Sequence, residues 1–76
     1  MIDYALSIIR PLVDHPDDVR ITSIDGEKTV VMELRCHSND LGKVIGKSGK
    51  TITAVRGLLS ALAARQGRRA LIEVVE

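Results

Sequence analysis

The 76-residue chain has almost no aromatic side chains: Tyr4 stands alone, without tryptophan or phenylalanine. Sheets that hold nucleic acid by stacking need aromatic rings on the binding face, so that mode is disfavoured. Cysteine is equally scarce. Cys36 has no partner for an internal disulfide and reads as a small buried hydrophobe. His15 and His37 are the only imidazoles. A zinc centre takes about four ligands at characteristic spacing, so no metal is expected and both histidines read as solvated loop residues. No run approaches the roughly 20 apolar residues that cross a bilayer. Met1-Ile2-Asp3-Tyr4 also lacks the basic start and apolar stretch of a secretory signal. The expectation is a cytoplasmic protein without a membrane partner.

Acidic residues are missing between Leu41 and Ile72. Residues 1–40 carry eight acids against four bases, a net of −4, while residues 41–76 carry seven bases against Glu73 and Glu76, a net of +5. The overall charge of +1 hides this division. Lys43, Lys47 and Lys50 bracket a glycine-bearing segment, which concentrates positive potential where a backbone can be approached closely.

What is present suffices for one apolar core. At 45% hydrophobic residues the chain reads as a single domain over 1–76. Ile2, Ala5, Leu6, Ile9, Leu12 and Val13 recur at helical spacing, and Pro11 should kink or split that helix near Arg10. Residues 14–18 read as a turn. The runs VRITSI and TVVMELRC read as strands joined by a hairpin at Asp25-Gly26-Glu27-Lys28. Ser38 or Asn39 can cap a short helix over 39–45 that ends at Gly46. A longer helix runs from about Lys50 to Arg65 and stops at Gly67, and residues 68–75 form the last strand. The order is αββααβ.

The segment Gly42-Lys43-Val44-Ile45-Gly46-Lys47-Ser48 has three residues between its glycines, where a nucleotide-binding P-loop has four. It also follows a helix rather than a strand, and the chain is about half the length such α/β domains need. Nucleotide binding is therefore disfavoured. Catalysis is disfavoured too, because Ser48 has no histidine or carboxylate beside it in the loop. The chain is not expected to be an enzyme.

Val44-Ile45-Gly46-Lys47-Ser48-Gly49-Lys50-Thr51-Ile52 resembles the signature of the KH domain family: an apolar pair, G-x-x-G, and an isoleucine three residues on. In that family the loop clamps the backbone of about four single-stranded nucleotides. The resemblance implies that Gly46, Lys47, Ser48 and Gly49 hold RNA, with Lys43 and Lys50 adding charge and Ile45 forming one wall of the groove. It implies a core βααβ motif over 29–75 and an N-terminal αβ extension over 1–28, the type II arrangement. The expected fold is thus α+β, a three-stranded sheet with three helices packed on one face.

The chain is also similar in length, in its proline-bearing first helix and in its VDHPDDV turn to the small bacterial KH proteins of the KhpA type. That similarity implies an RNA chaperone in post-transcriptional regulation, linked to cell shape and peptidoglycan homeostasis. It implies a homodimer, or a heterodimer with a larger KH-containing RNA-binding protein of the KhpB type, and no cofactor. The alternative is a KH-fold interaction module that works mainly through dimerisation with a partner. On the long helix, Ile52, Val55, Leu59, Leu62 and Ala63 form the expected inward stripe. Leu58, flanked by Ala54 and Ala61, is too apolar for full solvation, and these three residues form the expected dimer interface.

Overall fold

The computed structural model describes all 76 residues. Helix α1 (Ile2–Ile9) turns Ala5 and Ile9 into the core, at the spacing of one helical face. Pro11 brings no N–H to continue the ladder, and the helix gives way to a 3₁₀ turn over Arg10–Leu12 before Val13 extends. The split falls where the proline requires it.

Strands β1 (Arg20–Asp25) and β2 (Thr29–Arg35) form an antiparallel hairpin, closed by the Gly26 N–H donating to the Thr29 carbonyl at 2.7 Å. Strand β3 (Arg69–Val74) lies parallel to β2, giving a mixed sheet in the order β1-β2-β3. A parallel pair needs a crossover. Here it is made by α2 (Leu41–Ile45) and α3 (Lys50–Arg65), with the glycine loop between them.

Strand alternation defines the buried face. Val30, Met32 and Leu34 point inward beside Ala70 and Ile72, and α1 and α3 cover them. From α3, Ile52, Val55, Leu59 and Ala63 close the core at intervals of three or four residues. Leu62, expected with them, is half-buried. The helix ends in a Schellman turn: Gly67 takes φ +69°, its N–H donates to Ala64, and the Arg68 N–H donates to Ala63 at 2.8 Å.

Three local expectations are corrected. The cap before α2 is neither Ser38 nor Asn39. Residues Ser38–Asp40 form a 3₁₀ turn, and the His37 ring accepts the Asn39 N–H at 3.0 Å. The histidines are not simply solvated: both are half-buried, with rings stacked 3.9 Å apart at 12°. Cys36 is half-buried at the margin of the core, not inside it.

Candidate nucleic-acid interface

The loop between α2 and α3 uses its two glycines differently. Gly46 adopts φ +79°, ψ 169°, a region only glycine occupies comfortably. Its α-carbon packs onto Thr51, so that a Cβ there would lie 2.7 Å from the Thr51 Cβ and amide nitrogen. Gly49 sits at φ +74°, ψ 15°, and a Cβ there would meet nothing within 4 Å. Gly46 fits the loop to α3; Gly49 leaves an open approach. Ser48 between them is also left-handed, at φ 57°, a conformation that costs an ordinary residue about 1–2 kcal/mol.

Helix α3 therefore starts at a left-handed glycine, and no side chain caps its first turn. A 3₁₀ turn over Lys47–Gly49 precedes it, the Gly49 and Lys50 N–H groups donating to the Gly46 and Lys47 carbonyls. The positive end of the helix dipole favours an anion. Lys47 and Lys50 are exposed beside this end and take part in no ion pair. Ser48 is exposed with them, and Ile45 is half-buried against the core at the end of α2. Lys43 is different. Its ammonium is hydrogen-bonded to the Asp14 carboxylate and lies 4.0 Å from Asp40. The hydrogen bond to Asp14 leads the causes that raise its pKa, against a smaller opposing effect of burial.

Asp40 is the one charged side chain wholly removed from solvent. Its carboxylate accepts the Asp14 N–H at 3.2 Å, the His15 N–H at 2.9 Å and the His15 ring Nδ1 at 3.1 Å. Burial alone would raise the Asp40 pKa, but these bonds and the nearby imidazole together bring it below the ordinary value. The cluster ties the turn after α1 to the start of α2. No group of three or more His, Cys, Asp or Glu side chains is disposed to hold a metal ion.

A groove of about 420 Å³ lies between α3 and the free edge of β3, lined by Arg56, Ser60 and residues Arg69–Glu73. The Arg69 N–H donates to Lys28 and the Val75 N–H to Leu34, both toward β2. Ala70, Ile72 and Val74 therefore direct their backbone groups to the open edge. Arg56 Nε donates to the Ile72 carbonyl at 3.3 Å, leaving the rest of its guanidinium free. Sequence reasoning missed this wall. The only signal was Arg56 on a helix whose apolar stripe was otherwise regular, and its meaning depends on which strand forms the edge. On the far flank of α3, about 200° from both Arg56 and Ser60, Leu58 is 46% exposed, with Ala54 and Ala61 exposed beside it.

A family model described as "KhpA/KhpB, KH domain" matches residues 3–74. The chain belongs to this family. Among its relatives, the RNA-binding protein KhpA of Aquifex aeolicus is 49% identical over 67 residues, 88% of this chain and 85% of the relative. The RNA-binding protein KhpA of Chlamydia pneumoniae is 42% identical over 76 residues, 100% of this chain and 97% of the relative. That of Borreliella burgdorferi is 42% identical over 69 residues, 91% and 84% of the two chains. No solved structure matches significantly. The αββααβ order and mixed sheet are those of a type II KH fold. The relatives are named as RNA-binding proteins and not as enzymes, in line with the non-enzymatic expectation.

Proposed function

We propose that the chain binds single-stranded RNA as a single KH domain, with the motif at 29–75 and its extension at 1–28. The backbone lies on Gly46-Lys47-Ser48-Gly49, beside Lys50 and Ile45, and the bases lie in the groove between α3 and β3. One observation carries this reading: an uncapped helix start, an open left-handed Gly49 and two unpaired lysines converge at one loop. Phosphate oxygens are the acceptors that suit those donors. Arg56 lies six residues beyond Lys50, about 9 Å along α3, which suits a strand running from the loop into the groove. On the open edge of β3, the backbone groups of Ala70 and Val74 and the N–H of Ile72 offer donors and acceptors to base edges, a form of recognition that needs no aromatic platform.

The names of the relatives support RNA as the ligand class. On the same reading the protein is a cytoplasmic RNA chaperone in post-transcriptional regulation, connected with cell shape and peptidoglycan homeostasis. A four-nucleotide site is short, and pairing two domains adds avidity of roughly 10²-fold or more. The exposed Ala54-Leu58-Ala61 stripe is the proposed pairing surface, in a homodimer or with a larger KH-containing protein of the KhpB type.

The test is a mobility shift of short single-stranded RNA at low salt with the natural chain and with Lys47→Asp/Ser48→Asp. Aspartate tolerates left-handed backbone, so the double variant keeps the fold while placing two negative charges where phosphates would sit. Loss of binding in a folded variant is the expected result. Binding that survives it removes the loop as the site.

A further inference from the structure

Lys43 is the basic residue that precedes the loop, and it alone of the three lysines there is already engaged. It comes from α2, one turn before Gly46 and about 4.5 Å away along the axis. Its ammonium bonds the carboxylate of Asp14, which lies 29 residues earlier in the chain. Exposed ion pairs are ordinarily weak because two long side chains must be ordered to form them. This one is built differently. Asp14 has a short side chain, and its own N–H is fixed by the buried Asp40, which also holds the next residue, His15, through backbone and ring. His15 in turn stacks on His37. The Asp14 backbone is thereby anchored to the buried Asp40, with its exposed carboxylate beside Lys43.

We infer that Asp14 is an internal competitor for the RNA backbone and holds down the loop's affinity for strands that reach Lys43. This rests on the RNA-binding reading above. In the free protein Asp14 occupies Lys43. When a strand extends past Gly46, a phosphate oxygen replaces the Asp14 carboxylate on the Lys43 ammonium, one charge-assisted hydrogen bond exchanging for another. A ligand too short to reach Lys43 leaves the Asp14–Lys43 pair intact and gains nothing from it. A strand that spans the loop displaces Asp14 and gains the contact. Asp14 thus sets affinity: it lowers what a strand reaching Lys43 gains from the contact and leaves shorter ligands unaffected.

The experiment measures affinity for a short single-stranded RNA by fluorescence anisotropy across a salt series. It compares the natural chain, Asp14→Asn, Lys43→Gln, the Asp14→Asn/Lys43→Gln pair, and Asp17→Asn. Asp17 is exposed in the same turn and makes no ion pair, so its variant reports the general effect of removing one negative charge. Asp14→Asn keeps the backbone N–H that Asp40 accepts, and Asp14→Ser gives a second version of the same change. Asp14→Asn is expected to bind about two- to fivefold more tightly, the factor that matches an exposed ion pair. Its log–log salt slope should steepen by about 0.7, one further phosphate on a single strand. Lys43→Gln should change affinity little by itself and should erase the gain in the double variant. An Asp14→Asn gain no larger than that of Asp17→Asn, or one that persists without Lys43, overturns the inference and leaves the RNA reading intact. A natural chain that does not bind the RNA at all defeats the RNA reading and this inference with it.

Discussion

Gly46 packs against Thr51 with no room for a side chain, whereas Gly49, three residues on, faces open space. The two positions of the motif should therefore respond differently to alanine. At Gly46 the change adds a clash with Thr51 to a backbone region that side chains avoid, and the expected loss is about 3 kcal/mol. At Gly49 only the left-handed backbone is penalised, by about 1–2 kcal/mol. Urea denaturation of the two variants measures the difference. Equal losses would mean that Thr51 moves aside without cost.

Binding should weaken with salt in proportion to the phosphates contacted. Lys47, Lys50 and the free part of Arg56 offer three cations; Lys43 adds no net charge, because a phosphate there only replaces the Asp14 carboxylate. At about −0.7 per phosphate on a single strand, the log–log slope should be about −2. A slope near zero with affinity intact would rule out an electrostatic clamp. The same titration with a blunt duplex should give weaker binding, because paired bases cannot enter the α3–β3 groove.

Asp40 gives the fold a defined acid limit. Its pKa lies below the ordinary 3.8, so the folded chain binds this proton less readily than the unfolded chain does. Its contribution to stability is whole well above that value and is lost as pH falls through the folded pKa. Lys43 behaves in the opposite sense: its pKa is raised above 10.5, and its contribution is lost only as alkalinity passes the folded value. Melting temperatures measured from pH 7 to pH 2.5 should fall most steeply below about pH 4. Asp40→Asn should melt lower at neutral pH and show a flatter acid limb. An unchanged acid limb in that variant would assign the acid sensitivity to other carboxylates.

The loop, the broken first helix and the hairpin were legible because each depends on neighbours in sequence. Pro11 withholds an N–H within its own helix, and Gly46, Gly49 and Gly67 take left-handed turns whatever lies elsewhere. The alternation of Val30, Met32 and Leu34 likewise announces its face locally. Asp40 was not legible. Its partners lie 25 and 26 residues away, and nothing near it in sequence marks one acid among ten as buried. The same distance separates cause from signal for Lys43, which reads as a free base until Asp14 is brought beside it. The groove wall formed by Arg56 and β3 depends on strand order, because it is the placement of β3 at the end of the sheet that leaves its other edge open.

Leu58 carries the last prediction. Thr51, Ala54, Leu58, Ala61 and Arg65 follow one another along a flank of α3, and Leu58 at their centre is 46% exposed. Ala54 and Ala61, one turn to either side, are small enough to let a second helix approach closely. An isologous contact across a two-fold axis would set Leu58 against its own copy. This flank lies about 200° around the helix from Arg56 and Ser60, so pairing there leaves both RNA grooves open. Leu58→Arg places like charges at the centre of such a contact and burdens the isolated domain little, since the position faces solvent. The variant should remain folded, with light scattering at micromolar concentration giving the mass of one chain where the natural protein gives two. Binding to a short RNA should be nearly unchanged, and binding to an RNA long enough to span two grooves should fall by about 10²-fold or more as avidity is lost. A dimer that survives Leu58→Arg would move the pairing surface elsewhere on the molecule.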